Sequence, residues 1–133
     1  MLPTVINNGA YTAHPFIAAD DSYLIWDSER DDGYGGKDLY ISFKQADGSW
    51  STSFNLGNTI NTAATETGAY VSPDGKYLFF NRTPGKVSNE GDIFWVDAQV
   101  VESFRPYPSQ PQTSAEGADS NEGGKVLHQG PYK

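Results

Sequence analysis

The sequence predicts an all-β fold built from two four-stranded antiparallel units, and three observations lead to this prediction. Short segments rich in Tyr, Phe, Trp, Ile and Leu alternate with Asp, Gly, Pro and Asn, a pattern that favours strands and tight turns. No long stretch of the chain has a helical period. The third observation is that the chain repeats itself at a fixed spacing.

The repeat has a period of 54 residues and runs without a gap from about residue 2 to residue 109. The identical pairs at this offset include Asn7 and Asn61, Asp20 and Asp74, Tyr23 and Tyr77, Leu24 and Leu78, and Asp38 and Asp92. Similar residues pair in the same way: Trp26 and Phe80, Leu39 and Ile93, Tyr40 and Phe94, and Trp50 and Phe104. A period near 50 is typical of propellers and other repeat arrays, whose units need neighbours to cover their apolar faces.

Four strands are predicted in each unit. In the first unit they cover residues 13–18, 23–28, 38–44 and 49–56, and in the second they cover residues 68–72, 76–81, 92–98 and 102–107. The central runs YLIW, LYI, LFF and IFWV are nearly continuous apolar segments, so both faces of each sheet are expected to be buried. This is the condition of a β-propeller blade stacked between two others, whereas a two-layer sandwich would show one polar face per strand.

Two segments resemble the WD40-like β-propeller repeat of the PD40 or TolB type: HPFIAADDSYLIWDSERDDGYGGKDLYIS and VSPDGKYLFFNRTPGKVSNEGDIFWVDA. The matching residues are His14, Pro15, Asp20, Ser28, Arg30, Asp38, Leu39 and Tyr40 in the first copy, and Ser72, Pro73, Asp74, Gly75, Asp92, Ile93 and Phe94 in the second. The sequence departs from the pattern at residues 18–21, where AADD replaces Ser-Pro-Asp-Gly, and at residues 81–83. The resemblance covers roughly four fifths of the chain and implies about two blades, at residues 2–55 and 56–109.

Two blades are too few to close a propeller, because the ring typically has 4 to 8. The leading interpretation is a homotrimer, in which three two-blade chains close a ring through a head-to-tail interface. A different number of copies, or a piece of a longer propeller without independent function, are the alternatives. Residues 2–8 repeat residues 56–62, so two interpretations are open: Leu2, Val5 and Ile6 pack against a neighbour's last blade, or the segment is an ordinary frayed terminus. The polar residues 109–133 are predicted to form an arm on a neighbouring chain or an unstructured tail.

Composition restricts the partners. Nine Lys and Arg against seventeen Asp and Glu give a net charge of −8, which disfavours nucleic acid and anionic membranes. The absence of Cys excludes disulfides and thiolate zinc sites. No apolar run approaches the roughly 18 residues of a membrane helix. The N-terminus lacks a signal-peptide pattern, so the cytoplasm is the default compartment, although related propellers are often exported.

The candidate ligand-binding residues are predicted to gather at one mouth of the ring. They are His14, Asp27, Glu29, Arg30, Asp32, Tyr34 and Lys37 in the first copy, and Glu66, Asn81 and Arg82 in the second. A ring would multiply each of these side chains, and a concentrated polar funnel suits a peptide, a glycan or another small polar ligand. The hypothesis is therefore a binding or interaction module.

Other interpretations of the loop DSERDDGYGGKD stay open. Asp27, Glu29, Asp31 and Asp32 supply oxygen ligands suited to calcium, although their spacing fits no EF-hand. Asp27 and Asp32 could act as acid and base in a glycoside hydrolase. The same residues could simply stabilise a long hairpin. No Gly-x-Ser-x-Gly, His-Glu-x-x-His or phosphate-loop motif is present, so no catalytic residue and no cofactor is assigned.

Overall fold

The computed structural model describes residues 1–85, 89–106 and, for the backbone alone, 130–132. These residues form two four-stranded antiparallel sheets with almost no helix, which confirms the predicted all-β class. The first sheet contains β1 (Tyr11–Ile17), β2 (Tyr23–Glu29), β3 (Asp38–Phe43) and β4 (Phe54–Asn55). The second contains β5 (Thr65–Val71), β6 (Tyr77–Thr83), β7 (Asp92–Asp97) and β8 (Gly130–Tyr132). In both sheets the strands lie side by side in chain order.

The two sheets share an irregularity at the same place in the repeat. The pairing of β1 with β2 shifts register between Ala13 and Phe16, and that of β5 with β6 shifts between Thr67 and Tyr70. His14 and Gly68, which are 54 residues apart, occupy these bulges with positive φ angles of 50° and 67°. The repeat therefore extends to the backbone conformation, including a bulge that re-aims the side chains around it.

The fourth strand of each unit differs from the prediction. In the first unit, the strand predicted at residues 49–56 is reduced to β4, with an isolated bridge between Lys44 and Trp50. In the second unit, the prediction of a strand at residues 102–107 is wrong over the described residues 102–106. The chain instead forms the short helix α1 (Gln99–Glu102) and a turn. The Asp97 carboxylate accepts the Gln99 N–H at 2.9 Å, and α1 buries Val100 and Val101.

The strand that completes the second sheet comes from near the C-terminus. Residues 130–132 pair antiparallel with β7, with Ile93 opposite Tyr132. The sequence predicted two blades at residues 1–108 and a polar arm at residues 109–133. The second sheet contains residues from both of these segments. Residues 107–129 and 133 lie outside the described part of the chain, and the rest of the arm prediction concerns them.

The main core lies between the two sheets. Ile25, Leu39 and Ile41 on one face of the first sheet share a buried cluster with Leu78, Phe80 and Val96 of the second. A smaller cluster covers the opposite face of the first sheet, where Ile6 packs on Leu24, Trp26 and Tyr40, with Val5 and Trp50 beside them. Both faces of the first sheet are therefore buried, as predicted, and residues 5 and 6 pack on their own chain.

The second sheet is buried on one face only. Because paired residues point to the same side of a sheet, Tyr77, Phe79, Ile93 and Trp95 share the face turned away from the core. Tyr77 and Ile93 are exposed, and Phe79 and Trp95 are half-buried. We call these four residues the outer face. The prediction that both faces of this sheet are buried is wrong for the isolated chain.

Candidate functional site

Asp27 and His14 form a pair at the junction of the two sheets. Asp27 is fully buried, and its Oδ2 lies 2.9 Å from Nδ1 of the exposed His14. The same carboxylate oxygen accepts the N–H of Gly68 in the second sheet at 3.1 Å. Burial raises the pKa of the Asp27 carboxyl, while the hydrogen bonds from Gly68 and His14 oppose that rise. The pair therefore ties the first sheet to the bulge of the second.

Glu66, which is fully buried, and Arg82, whose side chain is 19% exposed, form a second pair. Arg82 Nε donates to Glu66 Oε1 at 2.8 Å, and the backbone and hydroxyl of Thr62 donate to the two carboxylate oxygens at 3.0 and 2.5 Å. Arg82 Nη2 also donates to the Ile60 carbonyl at 2.8 Å, and its guanidinium lies 4.4 Å from the centre of the Phe94 ring. Both charged groups are paired within the chain, and their bonds to Thr62 and Ile60 hold the linker between the sheets.

Asp38 organises the loop that joins β2 to β3. Its carboxylate accepts the backbone N–H groups of Tyr34 at 2.6 Å and Gly35 at 3.3 Å, and the Asn55 side-chain amide at 2.9 Å. Gly35 lies so close to the linker that an added Cβ would come within 2.2 Å of the Ala64 carbonyl oxygen. The predicted structural role of this loop therefore has a specific basis in Asp38 and Gly35.

A polar cavity of about 310 Å³ lies beside this loop. It is lined by Asn8, Gly9, Ala10, Glu29, Arg30, Asp31 and Asp32. Arg30 Nη1 donates to Ser53 Oγ at 2.9 Å, and the guanidinium lies 3.9 Å from the centre of the Tyr40 ring. Burial lowers the pKa of Arg30 below its ordinary value. Its Nε and Nη2 atoms are buried and find no hydrogen-bond partner among the described residues.

The other predicted binding residues lie apart from this cavity. Lys37 Nζ is 3.8 Å from the centre of the Tyr11 ring, and Tyr34 is 51% exposed on the loop. Asn81 lies on the second sheet, opposite Thr67 and Ile93. Of the ten predicted residues, Glu29, Arg30 and Asp32 line this cavity. Asn61 and Ser53 were not predicted from the sequence. For Asn61 a signal was present, because the repeat has the same residue type at position 7.

The carboxylates of the loop are not gathered around one point. Asp27 faces His14 and Gly68, whereas Asp31 and Asp32 line the cavity. Within residues 1–85 and 89–106, no three His, Asp or Glu side chains are placed to hold a metal ion. The carboxylate pair needed by the hydrolase hypothesis, Asp27 and Asp32, does not share this cavity.

Within the same two ranges, no helix is long and apolar enough to cross a membrane. Comparison of the chain with protein-family models, curated proteins and solved structures finds no match. Its function is therefore inferred from the placement and contacts of its own residues.

Proposed function

We propose that this chain is a binding and interaction module, built as two blades of a WD40-like β-propeller whose ring is completed by identical chains. Three chains would supply six four-stranded blades, within the usual range for a closed ring. A peptide, a glycan or another small polar ligand binds at the edge that carries the Arg30 cavity. The single observation behind the proposal is the exposure of Tyr77 and Ile93 on the outer face of the second sheet.

At three of the four positions of this face, the counterpart in the first sheet is fully buried. Ile93 is 49% exposed, whereas Leu39, its counterpart 54 residues earlier, is fully buried. Ile25 and Ile41, the counterparts of Phe79 and Trp95, are also fully buried. The first sheet buries these side chains by stacking on the second sheet, so the outer face has the shape and composition of a surface that a further sheet would cover.

The direction of stacking favours a ring of copies. The inner face of the first sheet packs on the second sheet, and its opposite face carries Leu24, Trp26 and Tyr40. A second copy would therefore contact the outer face through the Ile6 side of its first sheet. Its own outer face would stay available for the next copy. Such head-to-tail interfaces continue until a rotation closes them into a ring.

Arg30 supports ligand binding at the polar edge. Buried donors without partners are uncommon in folded proteins, and Arg30, which lines the cavity, has two such donors, Nε and Nη2. A carboxylate, a peptide carbonyl or a sugar hydroxyl can accept from them, while Asp31 and Asp32 accept donors from the same ligand. No comparable observation favours the hydrolase, since Asp27 is turned into the junction between the sheets.

The experiment that tests the proposal is the mass of the purified chain in solution, measured by light scattering after size exclusion. The chain has a mass of 14.5 kDa. A particle about three times as heavy is the expected result. A folded monomer across the accessible concentration range would overturn the ring, because the outer face would then be stable in water without a partner.

A further inference from the structure

We infer the residue-level contacts of this assembly: residues 7–16 of one chain dock against the second sheet of another copy as residues 61–70 dock against the first sheet within one chain. The inference rests on the proposed function, because it requires association between copies. It adds the register of the interface and the hydrogen bonds that define it.

The contacts between the two sheets within one chain provide the template. The side chain of Asn61 bonds to the backbone N–H and C=O of Leu39, at 2.8 and 3.0 Å. Three further bonds cross the junction: Gly36 N–H to Ala64 O at 2.9 Å, Glu66 N–H to Lys37 O at 2.9 Å, and Gly68 N–H to Asp27 Oδ2 at 3.1 Å. The rings of Phe16 and Tyr70 meet edge-on at 5.5 Å.

Shifting each template contact by one repeat gives the contact between copies. Each contact joins one residue of the first unit to one residue of the second unit. The first is replaced by the residue 54 positions later in the same chain, and the second by the residue 54 positions earlier in the next copy. The resulting pairs are Ile93 with Asn7, Glu90 with Ala10, Gly91 with Thr12, Asn81 with His14, and Tyr70 with Phe16. In each pair the second residue belongs to the other copy.

Each shifted pair has the chemical groups that its template contact requires. Asn7 is the same residue type as Asn61, and the Ala10 and Thr12 contacts use backbone atoms alone, so they tolerate the changes in side chain. Asn81 has an amide oxygen where Asp27 has a carboxylate, and it can accept the backbone N–H of His14. Tyr70 and Phe16 restore an aromatic pair. His14 also matches Gly68 in its positive φ, so the backbone at this contact has the required shape.

Two residues of the segment before β1 are more exposed than their counterparts in the linker between the sheets. Leu2 is 41% exposed, whereas its counterpart Leu56 is 1% exposed between the two sheets. Asn7 is exposed and donates to the Leu2 carbonyl at 2.8 Å, a local bond that it would exchange for the Ile93 backbone. Its counterpart Asn61 is fully buried. These differences are those expected when one half of a repeated interface has no occupant.

Cysteine cross-linking tests this register, and the chain has no Cys of its own to interfere. Ala10→Cys and Glu90→Cys mark the pair that corresponds to Ala64 and Gly36, whose backbones are joined by a 2.9 Å hydrogen bond. Residues this close have Cα atoms within the range that a disulfide spans. The two single variants are purified separately, mixed and oxidised mildly, and the products are read on a non-reducing gel.

We expect a covalent dimer in the mixture and none from either variant alone. The double variant Ala10→Cys/Glu90→Cys should give a ladder that ends at the number of chains in the ring. The matched control mixes Ala10→Cys with Asp47→Cys, an exposed position in the turn after β3, and should give no dimer above background.

The remaining outcomes separate this register from the proposed ring. A dimer from Glu90→Cys alone would indicate a two-fold contact and overturn the head-to-tail register. If the unmodified chain is oligomeric in solution and the mixture does not cross-link, the register is wrong while the ring stands. If the chain is monomeric, both are wrong. A ladder that ends at a number other than three supports the register and corrects the ring.

Discussion

The side chain of Asn61 closes both backbone hydrogen bonds of Leu39: its Oδ1 accepts the Leu39 N–H at 2.8 Å, and its Nδ2 donates to the Leu39 carbonyl at 3.0 Å. Nδ2 also donates to Asn55 Oδ1 at 2.8 Å. Asn61 and Leu39 are fully buried, so the bonds between them replace the hydrogen bonds to water that the Leu39 backbone loses on folding. The linker between the sheets is thereby fixed to the start of β3.

Replacing Asn61 with Leu should destabilise the fold strongly. Asn61→Leu leaves the buried Leu39 N–H without a partner, while the Leu39 carbonyl keeps the Leu56 N–H at 3.0 Å, and we expect a loss of about 2–4 kcal/mol in the free energy of unfolding. Urea unfolding followed by tryptophan fluorescence measures this loss. The matched control is Asn8→Leu at an exposed position, with an expected change within about 0.5 kcal/mol. Equal effects of the two substitutions would show that the Asn61 bonds contribute nothing specific.

The Glu66–Arg82 pair should show strong coupling. Arg82→Met leaves the buried Glu66 carboxylate without its counter-charge, and we expect a loss of about 3–5 kcal/mol. At the equivalent positions the first unit has Thr12 and Ser28, whose hydroxyl oxygens lie 3.3 Å apart. The double variant Glu66→Thr/Arg82→Ser copies that neutral pair and should recover part of the loss. A double-mutant cycle by urea unfolding measures the coupling, and strictly additive losses would contradict it.

Asp27 and Asp74 should affect the pH dependence of stability with opposite signs. Burial raises the pKa of Asp27 above 3.8, so between its unfolded and folded pKa values the folded state binds more protons. This carboxyl therefore makes the free energy of unfolding fall as pH rises through that window. Hydrogen bonds from the Ser72 side chain and the Lys76 backbone lower the pKa of Asp74, so its contribution is present above 3.8 and is lost as pH falls through its folded pKa.

Thermal unfolding from about pH 3 to about pH 7 checks these signs. The stability difference between the unmodified chain and Asp27→Asn should decrease as pH rises. The corresponding difference for Asp74→Asn should increase. Parallel pH profiles for the two variants would be inconsistent with the opposite environments of these carboxyls.

A charge on the outer face should separate association from folding. Ile93→Asp places a carboxylate at a half-exposed position, so we expect a chain with an unchanged circular dichroism spectrum and the mass of a monomer. Leu39→Asp, at the equivalent position of the first sheet, places the charge in the core and should cost at least about 4 kcal/mol or prevent folding. An Ile93→Asp chain that keeps the mass of the unmodified protein would argue against the outer face as the contact.

Arg30→Met should remove ligand binding with little loss of stability. Nε and Nη2 of Arg30 have no protein partner among the described residues, and the one donated bond goes to Ser53. We therefore expect a stability loss of about 1 kcal/mol. The probes are printed arrays of oligosaccharides and of peptides, incubated with labelled protein. Lys37→Met is the control, because Lys37 lies on Tyr11 outside the cavity. Signals that the unmodified chain and Arg30→Met share would exclude the cavity as the binding site.

The central strands were predictable because their signals are local. The strands predicted at residues 23–28, 38–44, 76–81 and 92–98 correspond to β2, β3, β6 and β7, with ends that differ by at most two residues. Each combines a continuous apolar run with flanking turn residues, and these properties act within a few residues of chain. The 54-residue offset likewise predicted that the two sheets would match, and the structure adds bulges at the equivalent positions His14 and Gly68.

The site was predictable only as a set of residue types. The sequence placed ten polar residues at one mouth, but which of them meet depends on strand register and on the packing of one sheet against the other. Glu66 meets Arg82 because β5 and β6 place them directly opposite each other. The residues next to them in the sequence do not indicate that these two charged side chains are largely buried. Arg30 meets Ser53 from 23 residues away.

The class of the fold, the period of the repeat and the positions of the central strands could be predicted from the amino-acid sequence, because apolar runs and turn residues act locally. Three features depend on tertiary structure: residues 130–132 complete the second sheet, Asn61 bonds to Leu39, and Tyr77 and Ile93 of the outer face stay exposed. Each of these depends on which distant segments compete for the same backbone groups or the same apolar surface. That competition is settled by the free energy of the whole packed chain, and no short stretch of sequence contains it.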